Sequence, residues 1–150
     1  MNETIHFLKS KQVKEVLAAL QEQFGYSEKN DLVWAENNKD RLFVVNRDID
    51  RLPLDELRIN SVGVYIAERT KEGLLRLSIE GSEMVSKSAS KNVIDIDEKR
   101  RDEWLKGEDI DFEGKERGYV ILRCNGDVLG CGKVKNNSIL NFVSKNRRVG

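Results

Sequence analysis

The run from Gly118 to Lys133, GYVILRCNGDVLGCGK, decides the fold. Two apolar, β-branched stretches flank Asn125-Gly126, the dipeptide that best fits a two-residue hairpin turn with both central residues at positive φ. A direct register through that turn sets Cys124 opposite Asp127 and Cys131 opposite Val120. Both thiols then share one face, about four residues apart along the strand. At about 3.3 Å per residue they are too far apart for a disulfide, so both are expected as reduced core thiols. A second turn at Asn136-Asn137 leads into a last strand, Ile139 to Val143. Gly130 and Gly132 alternate within the hairpin. Glycine weakens a strand unless backbone must approach something closely: another segment, a barrel bend or a ligand.

Upstream, Asn92 to Ile96 reads as a short strand. Asp97 is suited to cap a helix that runs to about Lys106, with Gly107 closing it in a left-handed conformation. Apart from Trp104 and Leu105 this helix has little apolar surface, so it belongs on the outside of whatever it covers. Short strands with one covering helix indicate a small, mostly antiparallel barrel. Toward the N-terminus, Ser10 is a plausible N-cap for a helix. Val13, Val16, Leu17, Leu20 and Phe24 follow at helical spacing, and Gly25 stops it. Two hairpins follow: Leu32 to Ala35 with Leu42 to Val45 around the turn at Asn37 to Asp40, and Val62 to Ala67 with Leu74 to Ser78. The Ser-rich stretch from Gly81 to Ser90 reads as either a short helix or a connector, with a domain boundary near its end.

The 150 residues suit one domain or two small ones sharing a core. Charged residues make up 35% and hydrophobic ones 39%, a globular rather than disordered balance. No apolar run approaches the roughly 20 residues of a membrane helix, and the start lacks a signal-peptide pattern. The formal charge is zero, but it is unevenly placed. From Arg117 onward there are seven bases (Arg117, Arg123, Lys133, Lys135, Lys145, Arg147, Arg148) and one acid, Asp127, a net of +6. The first 116 residues therefore carry −6. A basic end on an acidic chain suits a polyanionic partner, or forms a solvated tail.

Catalytic and cofactor patterns fail on inspection. Asp109, Asp111, Glu113 and Gly114 begin like a calcium loop, but Val120 stands where a bidentate carboxylate is required. Gly126 to Lys133 has the wrong spacing for a phosphate-binding loop, and Val134 replaces its Ser or Thr. Gly130 and Gly132 lack the third glycine of a dinucleotide fingerprint, since Lys135 holds that place. His6 is the only histidine, and with two distant cysteines it makes an incomplete zinc site. No enzyme, metal or cofactor is expected.

Several of these elements together resemble the PUA domain, an RNA-binding module, from about Asn92 to Val149. They are the helix end Trp104 to Ile110, the strand Gly118 to Leu122, the run Leu129 to Lys133, and the close from Ile139 to Arg148. The likeness is to the version at the C-terminus of Sun/Fmu-type RNA cytosine-C5 methyltransferases. That family tends to close on Asn, an apolar or aromatic pair, Pro-Lys and an arginine; here Ser144 stands in place of the Pro. More weakly, residues 1–90 resemble the α/β domain preceding it. The resemblance implies an α+β chain: an N-terminal α/β domain, 1–89, packed on a PUA-like β-barrel, 90–150. It implies binding of structured RNA, rRNA or tRNA, in maturation or modification, in the cytoplasm. Methylation is not implied, because Pro53 precedes Leu54 rather than a nucleophilic Cys and there is no room for a SAM-binding domain. The expectation is a stand-alone relative of the type seen in archaea. Its RNA face should comprise Gly107, Gly130, Gly132, Lys133, Lys135, Lys145, Arg147 and Arg148, with Lys133 and Lys135 exposed on one strand face. The alternative is a protein-interaction subunit docking an RNA-modifying enzyme or assembly factor.

Overall fold

The computed structural model describes residues 4–28, 32–45 and 63–142. In chain order the elements are β1 (Ile5–Phe7), α1 (Ser10–Phe24), β2 (Val33–Asn37), β3 (Arg41–Val45), β4 (Gly63–Arg69) and β5 (Leu75–Leu77). Then come α2 (Ile79–Ser86), β6 (Val93–Asp95), α3 (Glu98–Leu105), β7 (Ile110–Asp111), β8 (Gly118–Cys124), β9 (Asp127–Lys135) and β10 (Ser138–Asn141). Strands β1 to β5 form an antiparallel sheet in sequence order. The second sheet has the order β6-β8-β9-β10-β7 and forms a half-barrel. Its β6–β8 pair is parallel and the rest antiparallel.

Local chemistry explains most element ends. α1 buries Val16, Leu20 and Phe24 completely or nearly so, each contributing roughly 2 kcal/mol of apolar burial. It stops at Gly25, whose φ of 71° puts it in the left-handed region and lets its N–H reach the Gln21 carbonyl at 2.8 Å. The helix start differs from expectation: Ser10 is already helical, and Lys9 holds the flanking position. The backbone N–H of Lys9 donates to Gln12 Oε1 at 2.8 Å. The reaching-back Gln of a capping box therefore replaces a hydroxyl cap. The Ser-rich stretch resolves as α2, one residue after Ser78. The Ser78 hydroxyl accepts from Gly81 N–H at 2.9 Å and donates to the Tyr65 carbonyl at 2.6 Å. Gly81 lies so close to β4 that a Cβ there would sit 2.0 Å from the Ile66 carbonyl oxygen.

The main core draws on residues from both sides of position 90. Val16, Leu20, Phe24, Trp34, Leu42, Ile66, Leu75 and Leu77 pack in one cluster with Tyr119, Ile121 and Cys131 of the second sheet. A second cluster, Trp104, Ile110, Val120, Leu122 and Ile139, fills the other face of β8. α3 covers it through Trp104 alone, as its polar sequence requires.

The hairpin turn forms as read, with Asn125 at φ 52° and Gly126 at φ 85° and Cys124 opposite Asp127. The direct register does not persist. Arg123 faces Val128 but Leu122 faces Gly130, so Leu129 is an extra residue, and Cys131 pairs with Ile121 rather than Val120. The bulge accounts for Gly130, whose φ of 138° lies in the region that favours glycine. One inserted residue also reverses the faces. Cys131 enters the main core, while alternation places Cys124 on the Val120 and Leu122 side. The thiols are thus on opposite faces rather than one, and both are free and buried.

Candidate nucleic-acid interface

Gly107 ends α3 as expected, at φ 92°, with its N–H donating to the Trp104 carbonyl at 2.9 Å. The loop after it is tied to the last strand by Asn141. The Asn141 amide donates to the carbonyls of Trp104 at 2.8 Å and Glu108 at 2.9 Å, while its backbone N–H donates to Asp109 Oδ1 at 2.8 Å. These bonds tie the Gly107 loop to β10, with the Trp104 carbonyl accepting from both Gly107 and Asn141. Asn141 is thus the clasp that positions the Gly107 loop. Its place in the closing motif was the only sequence signal for that role. Gly107→Val forces a β-branched residue into the left-handed region, at a cost of about 1–2 kcal/mol. We expect lower urea stability and shifted amide resonances for Glu108 and Asn141; an unchanged spectrum would mean that the loop tolerates the residue.

Gly130 and Gly132 are both buried. At Gly132 a Cβ would lie 2.4 Å from Ile139 Cγ2, 2.7 Å from the Trp104 ring and 2.9 Å from the Leu140 carbonyl. Of the three needs that a strand glycine can answer, close approach of other protein segments is the one seen here. Lys133 is not freely exposed. Its ammonium pairs with Glu72, from the turn between β4 and β5, and lies 5.6 Å from the Tyr119 ring centroid. Hydrogen bonding to Glu72 raises its pKa. Lys133 thus bridges the two sheets, a contact 61 residues apart in sequence and invisible to local patterns.

Lys135, two residues on, is exposed. It lines an open groove of about 430 Å³ with Phe112, Gly114, Arg117, Val134, Asn136 and Asn137. The tight turn at Asn136 and Asn137, with φ of 50° and 62°, returns the chain into β10. Across the groove Arg117 donates to the backbone carbonyls of Gly114 and Glu116. Among the described residues neither Lys135 nor Arg117 forms an ion pair. Arg117 belongs to the basic end of the sequence, but no local pattern places it in one groove with Lys135. Lys145, Arg147 and Arg148 lie outside the described residues.

No group of three or more His, Cys, Asp or Glu side chains is arranged to hold a metal ion among the described residues. Nor is any described helix long and apolar enough to cross a membrane.

Residues 91–149 match the family model described as the methyltransferase RsmF PUA domain. This region is a PUA domain. The ribosomal RNA small subunit methyltransferase F of Vibrio cholerae serotype O1 (strain M66-2) is 32% identical over 137 residues, 90% of this chain and 28% of that protein. The methyltransferase F of Vibrio vulnificus (strain YJ016) is 35% identical over 92 residues, 61% of this chain and 19% of that one. The chain therefore spans no more than 28% of the length of these curated relatives. A conserved PUA domain protein from Thermoplasma acidophilum has the same fold, with a TM-score of 0.63, 14% identity and coverage of 96% of this chain and 97% of that one. A PUA domain structure from Aeropyrum pernix K1 aligns over 92% of this chain and 74% of its own, with a TM-score of 0.52 and 10% identity. In this PUA domain the Arg117–Lys135 groove lies between the β7–β8 loop and the β9–β10 turn.

Proposed function

We propose that the protein binds structured RNA through its PUA domain, in the maturation or modification of ribosomal or transfer RNA in the cytoplasm, and does no chemistry itself. The observation that carries this reading is the match of residues 91–149 to the RsmF PUA family. The names of the curated relatives, which are ribosomal RNA methyltransferases, support it. In this reading residues 1–89 are an α/β domain that braces the PUA part, since the two share a core. Phosphates sit in the groove, on Lys135 and Arg117, and Lys145, Arg147 and Arg148, outside the described residues, contribute further positive charge to RNA binding. Gly107 shapes the adjoining loop, Gly130 accommodates the bulge, and Gly132 lets the strand pack closely. Lys133 contributes less, because Glu72 already holds its charge.

A salt series tests this. With about three to five phosphates neutralised, log K against log salt should fall with a slope of roughly −2 to −4, at about 0.7 per phosphate for single strands. Arg117→Ala with Lys135→Ala should make that slope shallower by about 1.4. Lys133→Ala should move it much less. Fluorescence anisotropy with ribosomal RNA fragments measures each. Absence of wild-type binding at about 50 mM salt would overturn the reading and favour docking to a protein.

A further inference from the structure

We propose that Arg76 and Phe142 form a stacking platform for one unpaired nucleobase of the bound RNA, a second contact beside the phosphate groove; the proposal rests on the RNA-binding reading. Phe142, just past β10, is 42% exposed, one of two large apolar side chains so exposed among the described residues. An isolated exposed aromatic needs no explanation by itself. This one is organised. The Arg76 guanidinium lies 4.9 Å from its ring centroid, and Tyr119 packs against it with centroids 6.3 Å apart and planes tilted by 43°. Arg76 comes from β5 of the first sheet, and Glu68 holds its guanidinium at 2.6 Å. Two flat groups from different sheets are thus fixed against each other at the seam.

Charge decides what such a surface takes. Arg76 shares Glu68 with Arg41, and Lys133 is paired with Glu72, so each cation of the patch already has an acid partner. A phosphate gains little there. A nucleobase is flat and uncharged, and both aromatic rings and guanidinium planes stack on it. In the groove the situation is reversed: Arg117 and Lys135 keep their charge unpaired among the described residues, and that surface suits phosphate. The two surfaces adjoin. Tyr119 pairs with Lys133 and Gly118 pairs with Val134, while Val134 and Lys135 line the groove. Two residues of strand, about 7 Å, separate Lys133 from Lys135. The base must be unpaired, since a paired base has both faces covered by its neighbours in the helix.

The test uses the full chain and two RNA hairpins that differ by one bulged nucleotide, 2-aminopurine. The wild type should bind the bulged hairpin roughly tenfold more tightly, in the range of one aromatic stack, with quenching of the bulged base. Phe142→Ala should abolish both the preference and the quenching. Arg76→Lys, which retains the charge but not the plane, should weaken both. Each variant should bind the plain hairpin like the wild type, with the same salt slope; circular dichroism confirms that each is folded. Equal affinity of the wild type for the two hairpins, or folded variants that retain the preference, would overturn the platform while leaving RNA binding intact. Failure of the wild type to bind either hairpin would overturn both readings together.

Discussion

Gly132→Ala should cost about 3 kcal/mol, at the upper end for overpacking a core, and lower the melting temperature by roughly 6–12 °C. The added Cβ meets three groups closer than carbon atoms ordinarily approach: Ile139, the Trp104 ring and the Leu140 carbonyl. Ile139 and Trp104 are fully buried, so neither has solvent to move into. The Leu140 carbonyl is backbone, next to the position where Gly132 pairs with Asn141. Yielding there opens the β9–β10 ladder and loosens the Asn141 clasp. The loss should therefore appear in the Gly107 loop as well as in global stability. Urea denaturation with amide exchange at Glu108 and Asn141 measures both. A melting temperature within about 1 °C of wild type would show that packing is not what requires glycine there.

The Cys131 thiol in the folded protein should react with a disulfide reagent about a thousandfold more slowly than in the unfolded chain at about pH 8. Burial pushes its pKa from the ordinary value near 9 up to about 12. The thiolate is the nucleophile, and three pH units separate the two states. A Cys124→Ser variant isolates the signal. The linkage has a definite sign. The folded state holds this proton more tightly, so the thiol's contribution to stability is complete below about pH 9. Above that it declines by about 1.4 kcal/mol per pH unit, until the folded thiol itself ionises near pH 12. Alkaline unfolding should begin later in Cys131→Ala than in wild type, relative to each protein's stability at about pH 7. Equal thiol reactivity in folded and unfolded chains would contradict the burial.

Features set by neighbouring residues could be read in the sequence. Asn125-Gly126 specified a turn because few other pairs accept positive φ twice, and Gly107 and Gly25 marked helix ends for the same reason. Asp97 caps α3 as read, accepting from Arg100 N–H at 2.8 Å. Features set across distance could not be read. Alternation of apolar residues looks the same with or without a bulge, so it reveals neither the extra residue Leu129 nor the face that Cys131 takes. α2 is a helix because Gly81, Ser82 and Val85 bury against the sheets, and the serines alone left it open. Lys133 looked exposed because Glu72 is remote in sequence. The candidate site divided in the same way. The basic end is visible as composition, whereas the shared groove of Arg117 and Lys135 depends on how the β7–β8 loop and the β9–β10 turn lie in the fold.

The shared core also bears on how the chain is made. Strands β1 to β5 and α1 are complete after residue 77, yet the Tyr119, Ile121 and Cys131 side chains that close their cluster come more than forty residues later. On a ribosome the first sheet emerges with its apolar face open and waits for the β8–β9 hairpin. The parallel pairing of β6 with β8 adds a further non-local closure before the second sheet can form. Such order makes folding slow and exposes the nascent intermediate to aggregation. Synonymous changes that alter translation speed between residues 78 and 135 should therefore change soluble yield without changing a single contact in the finished protein.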